Sequence, residues 1–296
     1  MLGLSLLDEA ISHNDEIVAI IRKNSSKKDL IPDNRKIKVV EGNIDELDFL
    51  KLPGNGYDCF YYFMWEGTTG KERNDKELQA NNIQHSLDAI SLAKKYSCKK
   101  FVGAGSQAEY GIKSVALTSD TATDPVSEYG RAKLLSGLEC AKFAKNHDVC
   151  FNWVRILSAF GFNDGPNTLI SMLIRKLYNK EEINLTKCEQ LWDYLYCRDA
   201  AKAFYAISTK GIDGKTYVLG SGKSFPLRYS VETIKDIIDK NAVINYGAVP
   251  YSENQVMYLK ADISDLQKDT GWKPETSFEM GINEIHEKKQ KIKNSA

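Results

Sequence analysis

Short continuous apolar runs alternate with amphipathic helical patterns through the first half of this chain, and few folds accommodate that alternation. Leu4, Leu6, Leu7, Ala10 and Ile11 recur at helical spacing. Residues 17–21 form an unbroken apolar run, as expected of a strand buried on both faces. Residues 36–40 and 59–64 read as further strands, followed by a long helix with Leu78, Ile83, Leu87, Ile90 and Leu92 on its face. A strand at 100–104, a helix at 127–147 and a strand at 149–156 complete the series. Repeated β-α units of this length predict a parallel, doubly wound α/β sheet.

The second half reads differently. Helical patterns span 167–178, 199–208 and 230–239, and strand-like runs lie at 191–196, 216–219 and 243–246. This predicts a domain at 1–164 and a smaller mixed α/β domain at 165–296, with crossovers back to the sheet. The Lys-rich end (Lys288, Lys289, Lys291, Lys293) reads as a frayed, solvated helix end.

Composition excludes several classes of function. Lys+Arg and Asp+Glu are both 40 in 296 residues, so the basic excess of a nucleic-acid binder is missing. No apolar run approaches a membrane span, and the first residues lack the basic flank of a leader. The six cysteines show no CxxC spacing and read as buried, reduced thiols of a cytoplasmic protein. The four histidines are scattered, so no metal site is expected.

The segment Ser127-Glu-Tyr129-Gly-Arg-Ala-Lys133 carries the most chemistry. On a helix, Tyr129 and Lys133 share a face. A nearby ammonium favours the phenolate and fits the phenol for proton transfer near neutral pH. A second YxxxK, Tyr96/Lys100, straddles a helix end and a strand and is assigned no chemistry. Upstream, Ser106 follows a predicted strand at the sheet edge where ligands bind in open α/β folds. Its hydroxyl can hold a substrate oxygen; the alternative is an ordinary turn serine.

Together these motifs resemble those of the extended short-chain dehydrogenase/reductase family, in its NAD-dependent epimerase/dehydratase branch acting on nucleotide sugars. The SxxxYG segment at 106–111 and the YGRAK segment at 129–133 are similar to its catalytic Ser-Tyr-Lys set. The runs at 154–161, 192–201 and 270–274 resemble further family segments, with Trp192 in place of an arginine. The resemblance implies Tyr129 as acid/base, Lys133 as the residue that lowers its pKa and binds the nicotinamide ribose, and Ser106 on the sugar oxygen. It further implies cofactor contacts at Gly3, Asn43, Ile44, Met64, Trp65 and Ser158, and substrate contacts at Asn82, Gln107, Asn167 and Arg228. For Asn82 the alternative is a polar residue capping a neighbouring loop. A homodimer built partly on the helix carrying Tyr129 is also implied, with Leu134, Leu135, Leu138 and Phe143 available for it or for the core.

Four departures narrow the expectation. Of the family's opening strand and GxxGxxG turn only Gly3 has a counterpart, so a shortened chain or mis-assigned start codon is expected, with exposed apolar sheet and a weakened cofactor grip. Arg22 and Lys23 stand where NAD-preferring members carry an acid, which predicts NADP(H) over NAD(H); the alternative is a solvated basic turn. Gln107 and Ala108 replace the acids of the 4,6-dehydratases, and Glu109, read as part of an extended segment, faces the wrong side, which disfavours dehydration. Ser252 replaces a diphosphate-binding arginine, so either Arg175, Arg198 or Arg228 takes that task or the substrate is not a nucleotide sugar. The expected activity is nucleotide-sugar 4-ketoreduction. The alternatives are 4-epimerisation and, outside catalysis, a binding or subunit-interface module.

Overall fold

Every apolar run of the first half becomes a strand in the computed structural model, which describes residues 1–295. In chain order the first elements are α1 (Leu2–Ser12), β1 (Ile17–Ile21), β2 (Ile37–Glu41), β3 (Cys59–Tyr62), α2 (Lys76–Lys95), β4 (Lys100–Ser106), α3 (Glu128–Asn146) and β5 (Cys150–Ile156). There follow β6 (Ser158–Phe160), α4 (Leu169–Asn179), β7 (Ile183–Leu185), β8 (Leu191–Trp192), β9 (Tyr194–Tyr196) and α5 (Cys197–Lys210). The chain continues through β10 (Thr216–Leu219), β11 (Phe225–Pro226), α6 (Leu227–Ile238), β12 (Ile244–Tyr246), α7 (Ser264–Thr270) and α8 (Phe278–Ser295).

The central sheet runs β10-β5-β4-β3, all parallel. Its residues alternate between two cores because successive strand side chains point to opposite faces. Phe101, Phe151 and Trp153 face one cluster with Ala89 and Ile90 of α2 and Cys140 of α3. Val102, Ala104 and Val154 face another with Leu6 of α1 and Phe204 of α5. Helices therefore cover both faces, as parallel sheets require, and β10 is the crossover from the second half. A third cluster joins α4, α6 and α8 around Leu173, Ile234 and Ile282. The short pairs β6-β9, β7-β12 and β8-β11 surround it.

β1 and β2 form a separate parallel pair. The expectation of a strand buried on both faces is corrected here: all five residues of β1 are only half-buried. β1 has a ladder partner on one edge alone, while Ile20 and Val40 pack against the α2/α3 cluster. Three smaller corrections follow. The strand expected at 191–196 breaks at Asp193, whose buried carboxylate accepts from the amides of Ser221, Gly222 and Ala261. Cys150 is exposed rather than buried. The Lys-rich end stays helical to Ser295, with Lys288 3.2 Å from Glu284 one turn earlier. Among the described residues no helix is long and apolar enough to cross a membrane.

Trp153 fixes the backbone beneath the site. Its indole lies in a groove between Gly103, Gly105 and Gly137, where a Cβ on any of the three would come within 2.8 Å of the ring. At Gly105 the added carbon would lie 2.4 Å from Trp153 Nε1 and 2.6 Å from Glu109 Oε1. Gly105→Ala is therefore expected to lose about 1–3 kcal/mol of stability, read as a lower denaturant midpoint. An unchanged midpoint would show that the groove can widen.

Candidate active site

The carboxyl end of β4 delivers Ser106 directly into a 3-10 turn at Gln107–Glu109. The turn is stitched by its own side chains. Glu109 Oε1 accepts from Ser106 N at 2.8 Å, and Ser106 Oγ accepts from Ala108 N at 3.2 Å. α3 begins at Ser127, whose hydroxyl caps it by accepting from Gly130 N at 3.1 Å. That cap sets Tyr129 in the first turn and Lys133 one turn on, both buried. Gly3, Trp65, Thr68, Ser106, Tyr129 and Lys133 line one cleft of about 360 Å³.

The electrostatics differ from the arrangement implied by the sequence. Burial pushes the Tyr129 phenol up, opposed by the neighbouring Ser106 hydroxyl and then by the charge of Arg73, while Glu109 adds to the rise. Lys133 is anchored by two other groups. Its Nζ donates to Ala104 O at 2.7 Å and lies 3.6 Å from the centroid of the Trp65 ring. Burial pushes its ammonium down to about 7, against the pull of Glu109. Arg73 lies over the phenol ring, with Cζ 4.4 Å from the centroid.

Glu109 is kept out of the cleft, though for a different reason than an extended segment. It is fully buried, and accepts from Trp153 Nε1 at 3.0 Å and Arg155 Nε at 2.7 Å besides Ser106 N. Asn82 is also corrected, in favour of the loop-capping alternative. It is fully buried; its side chain accepts from Glu66 N at 3.1 Å and donates to Glu66 O at 3.0 Å. Beside it Gln79 Nε2 donates to Gly67 O and Glu72 O. Helix α2 thus clamps the loop after β3.

The other sequence-selected residues do not line this cleft. Arg22 and Lys23 follow β1, exposed, with Arg22 3.7 Å from Glu66 and Lys23 2.6 Å from Glu46. Asn43 caps the 3-10 segment Ile44–Phe49, and the Ile44 side chain is in the core. Met64 packs against the same core, and Ser158 accepts from Trp192 Nε1 at 2.8 Å. Gln107 is half-buried in the turn, while Asn167 is exposed. Arg228 is exposed, 4.0 Å from the centroid of the Tyr246 ring. Of the cations offered for a diphosphate, Arg198 pairs with Glu284 and Arg175 is exposed on α4.

The cleft can hold a dinucleotide at its catalytic end. Gly3 lies in the first turn of α1, with open space where a Cβ would be, and lines the same cleft as Tyr129. The helix N-terminus there offers unpaired amides to an anion. A two-faced parallel sheet with a hydroxyl, a phenol and a lysine gathered at its carboxyl edge defines a Rossmann-type dehydrogenase architecture. The chain belongs to the NAD dependent epimerase/dehydratase family, whose model matches residues 1–220.

Among similar sequences, CDP-abequose synthase of Salmonella muenchen is 33% identical over 140 residues, 47% of this chain and 47% of that protein. The matched segment thus spans about half the length of the CDP-abequose synthases. A dTDP-4-dehydro-6-deoxyglucose reductase of Escherichia coli is 26% identical over 220 residues, 73% of this chain and 69% of the relative. The fold is similar to that of UDP-glucose 4-epimerase with UDP-glucose from Thermotoga maritima. The TM-score is 0.87 at 19% identity, covering 99% of this chain and 96% of that one.

Proposed function

We propose that this chain reduces a nucleotide-linked 4-keto sugar with NADPH. The observation that carries the reading is the convergence of Ser106, Tyr129 and Lys133 on one cleft while Glu109 is withdrawn into a buried ion pair. The cleft then offers one proton-transfer group and no spare carboxylate from the Ser106 turn for removing water. Ser106 holds the sugar oxygen, and Tyr129 protonates it as the carbonyl is reduced. Gly3, Trp65, Tyr129 and Lys133 would hold the nicotinamide end, which supplies the hydride when bound. Similarity to a named reductase over most of the chain supports this reading.

Arg22 and Lys23 carry the cofactor preference. Their ion pairs with Glu66 and Glu46 are exposed and therefore weak, so they can exchange for a 2′-phosphate. NADPH is expected to bind roughly 10–100-fold more tightly than NADH, with Arg22→Gln closing most of that gap. Fluorescence titration with both cofactors reads this directly, and equal affinities would remove the preference. Screening 4-keto nucleotide sugars by nicotinamide absorbance then separates the activities. Stoichiometric NADPH consumption supports the reductase, whereas turnover without net consumption supports a 4-epimerase.

A homodimer through α3 is part of the proposal. Leu135 and Leu138 are exposed on that helix, while Phe143 packs partly into the core. Cytoplasmic residence accords with the unpaired cysteines.

A further inference from the structure

The loop between β3 and α2 enters the cleft, yet its arginine has no part in the reading so far. Arg73 sits in a 3-10 segment at Gly70–Asn74. Its guanidinium Cζ is 4.4 Å from the centroid of the Tyr129 ring, and its Nη1 donates to Thr68 O at 3.1 Å. Thr68 itself lines the cleft. The loop is held from both sides. Gln79 and Asn82 of α2 bond Glu66, Gly67 and Glu72, and Asn74 Oδ1 accepts from Glu128 N at 3.3 Å, at the start of α3. Trp65, on the same loop, meets Tyr129 edge-on at 5.9 Å and donates through Nε1 to Gln79 Oε1. Arg73 is therefore not a surface side chain that drifts over the ring; its backbone is fixed to the two helices that build the site.

We propose that Arg73 is a positioning residue that adds a second positive charge, beside that of Lys133, stabilising the Tyr129 phenolate. The inference rests on Tyr129 being the proton-transfer group. The groups facing the phenol are Arg73 from the loop, Lys133 from α3, and Ser106 and Glu109 from the end of β4 and its turn. Ser106 is neutral. Glu109 opposes the phenolate, but its carboxylate is paired with Arg155 of β5 at 2.7 Å. Lys133 is engaged by the Ala104 carbonyl and the Trp65 ring, and burial brings its charge loss to about 7. Burial also lowers Arg73, but from so high a starting value that a guanidinium keeps its proton in folded proteins. Arg73 therefore holds a permanent positive charge against the ring face, in addition to the lysine of α3. A cation at this range lowers an acid's midpoint by about one to two units, and its removal raises the midpoint by as much.

The test places 3-fluorotyrosine at position 129 of the full chain and follows its titration by fluorine NMR, without substrate or cofactor. Arg73→Gln is expected to raise the midpoint by about one to two units, and Arg73→Lys to recover at least half of that shift. An unchanged midpoint in a folded Arg73→Gln protein overturns the assignment. Should Arg73→Gln fail to fold, Arg73→Met is read in the same way. In turnover, the limb of the pH profile assigned to Tyr129 should move with the NMR midpoint while KM stays within about threefold. A raised KM with an unmoved profile would make Arg73 a substrate ligand and overturn the proposal. If the midpoint moves although no nucleotide sugar is turned over, the assignment of Arg73 stands and the activity proposed above fails.

Discussion

Tyr129→Phe is expected to lower turnover by about 10²–10⁴-fold while leaving the fold intact. The substitution removes one oxygen and keeps the ring. The edge contact with Trp65 and the guanidinium over the ring face both remain. The phenol is buried, and the neighbouring Ser106 hydroxyl favours the phenolate. Without it the serine hydroxyl can still hold a sugar oxygen, but the phenolic proton aimed at that oxygen is gone. The loss should therefore appear in kcat, with KM changed far less. Steady-state kinetics beside a thermal melt separate the two effects. Full turnover with an unchanged melt would remove Tyr129 from the chemistry.

The second large effect concerns stability. Glu109 has no exposed surface and Arg155 is 8% exposed, so their ion pair is closed to solvent. Glu109 also takes hydrogen bonds from Ser106 N and Trp153 Nε1, and Arg155 Nη1 donates to Tyr110 Oη at 3.1 Å. Removing one partner leaves the other charge buried and uncompensated. Glu109→Gln is expected to destabilise the protein by about 3–5 kcal/mol. Single-domain stabilities are about 5–15 kcal/mol, so that loss should be plain in a denaturant melt. The double variant Glu109→Gln/Arg155→Met should recover part of it, because both charges are then gone. A loss below about 1 kcal/mol for the single variant would mean that water reaches the pair.

The strands of the first half were legible because parallel strands covered on both faces are written as largely apolar runs; the centre of β4 is one, and β5 keeps its apolar character despite Asn152 and Arg155. β1 has the same composition but one ladder partner, and composition does not report partners. The i, i+4 spacing put Tyr129 and Lys133 on one helix face, as found. It could not say what Lys133 would meet, because Ala104 and Trp65 come from distant parts of the chain. Asn82 exposes the same limit: an asparagine on a helix face reads alike whether it binds a ligand or a loop backbone. Glu109 was more readable than it was read. Ser106-Gln-Ala-Glu109 is the Ser-x-x-Glu pattern of a capping box, which signals a turn rather than extended chain. Arg73 had no such signal. It lies in a loop without periodicity, and its place over Tyr129 depends on the buried amides of Gln79 and Asn82.

The first five strands also divide into two ladders of unequal security. β4 is bonded on both edges and largely buried, whereas β1 is bonded on one edge and half-buried throughout. Opening free energy follows buried contacts and ladder bonds, so amide exchange from β1 and β2 proceeds through small fluctuations that leave β4 and β5 closed. Arg22 and Lys23 ride on the looser pair; Ser106, Tyr129 and Lys133 are anchored to the tighter sheet and its helix. If Arg22 and Lys23 take a cofactor's 2′-phosphate, as proposed above, grip on that end and alignment of the reacting groups would fall to separate cooperative units. The first can breathe to admit its ligand without disturbing the second.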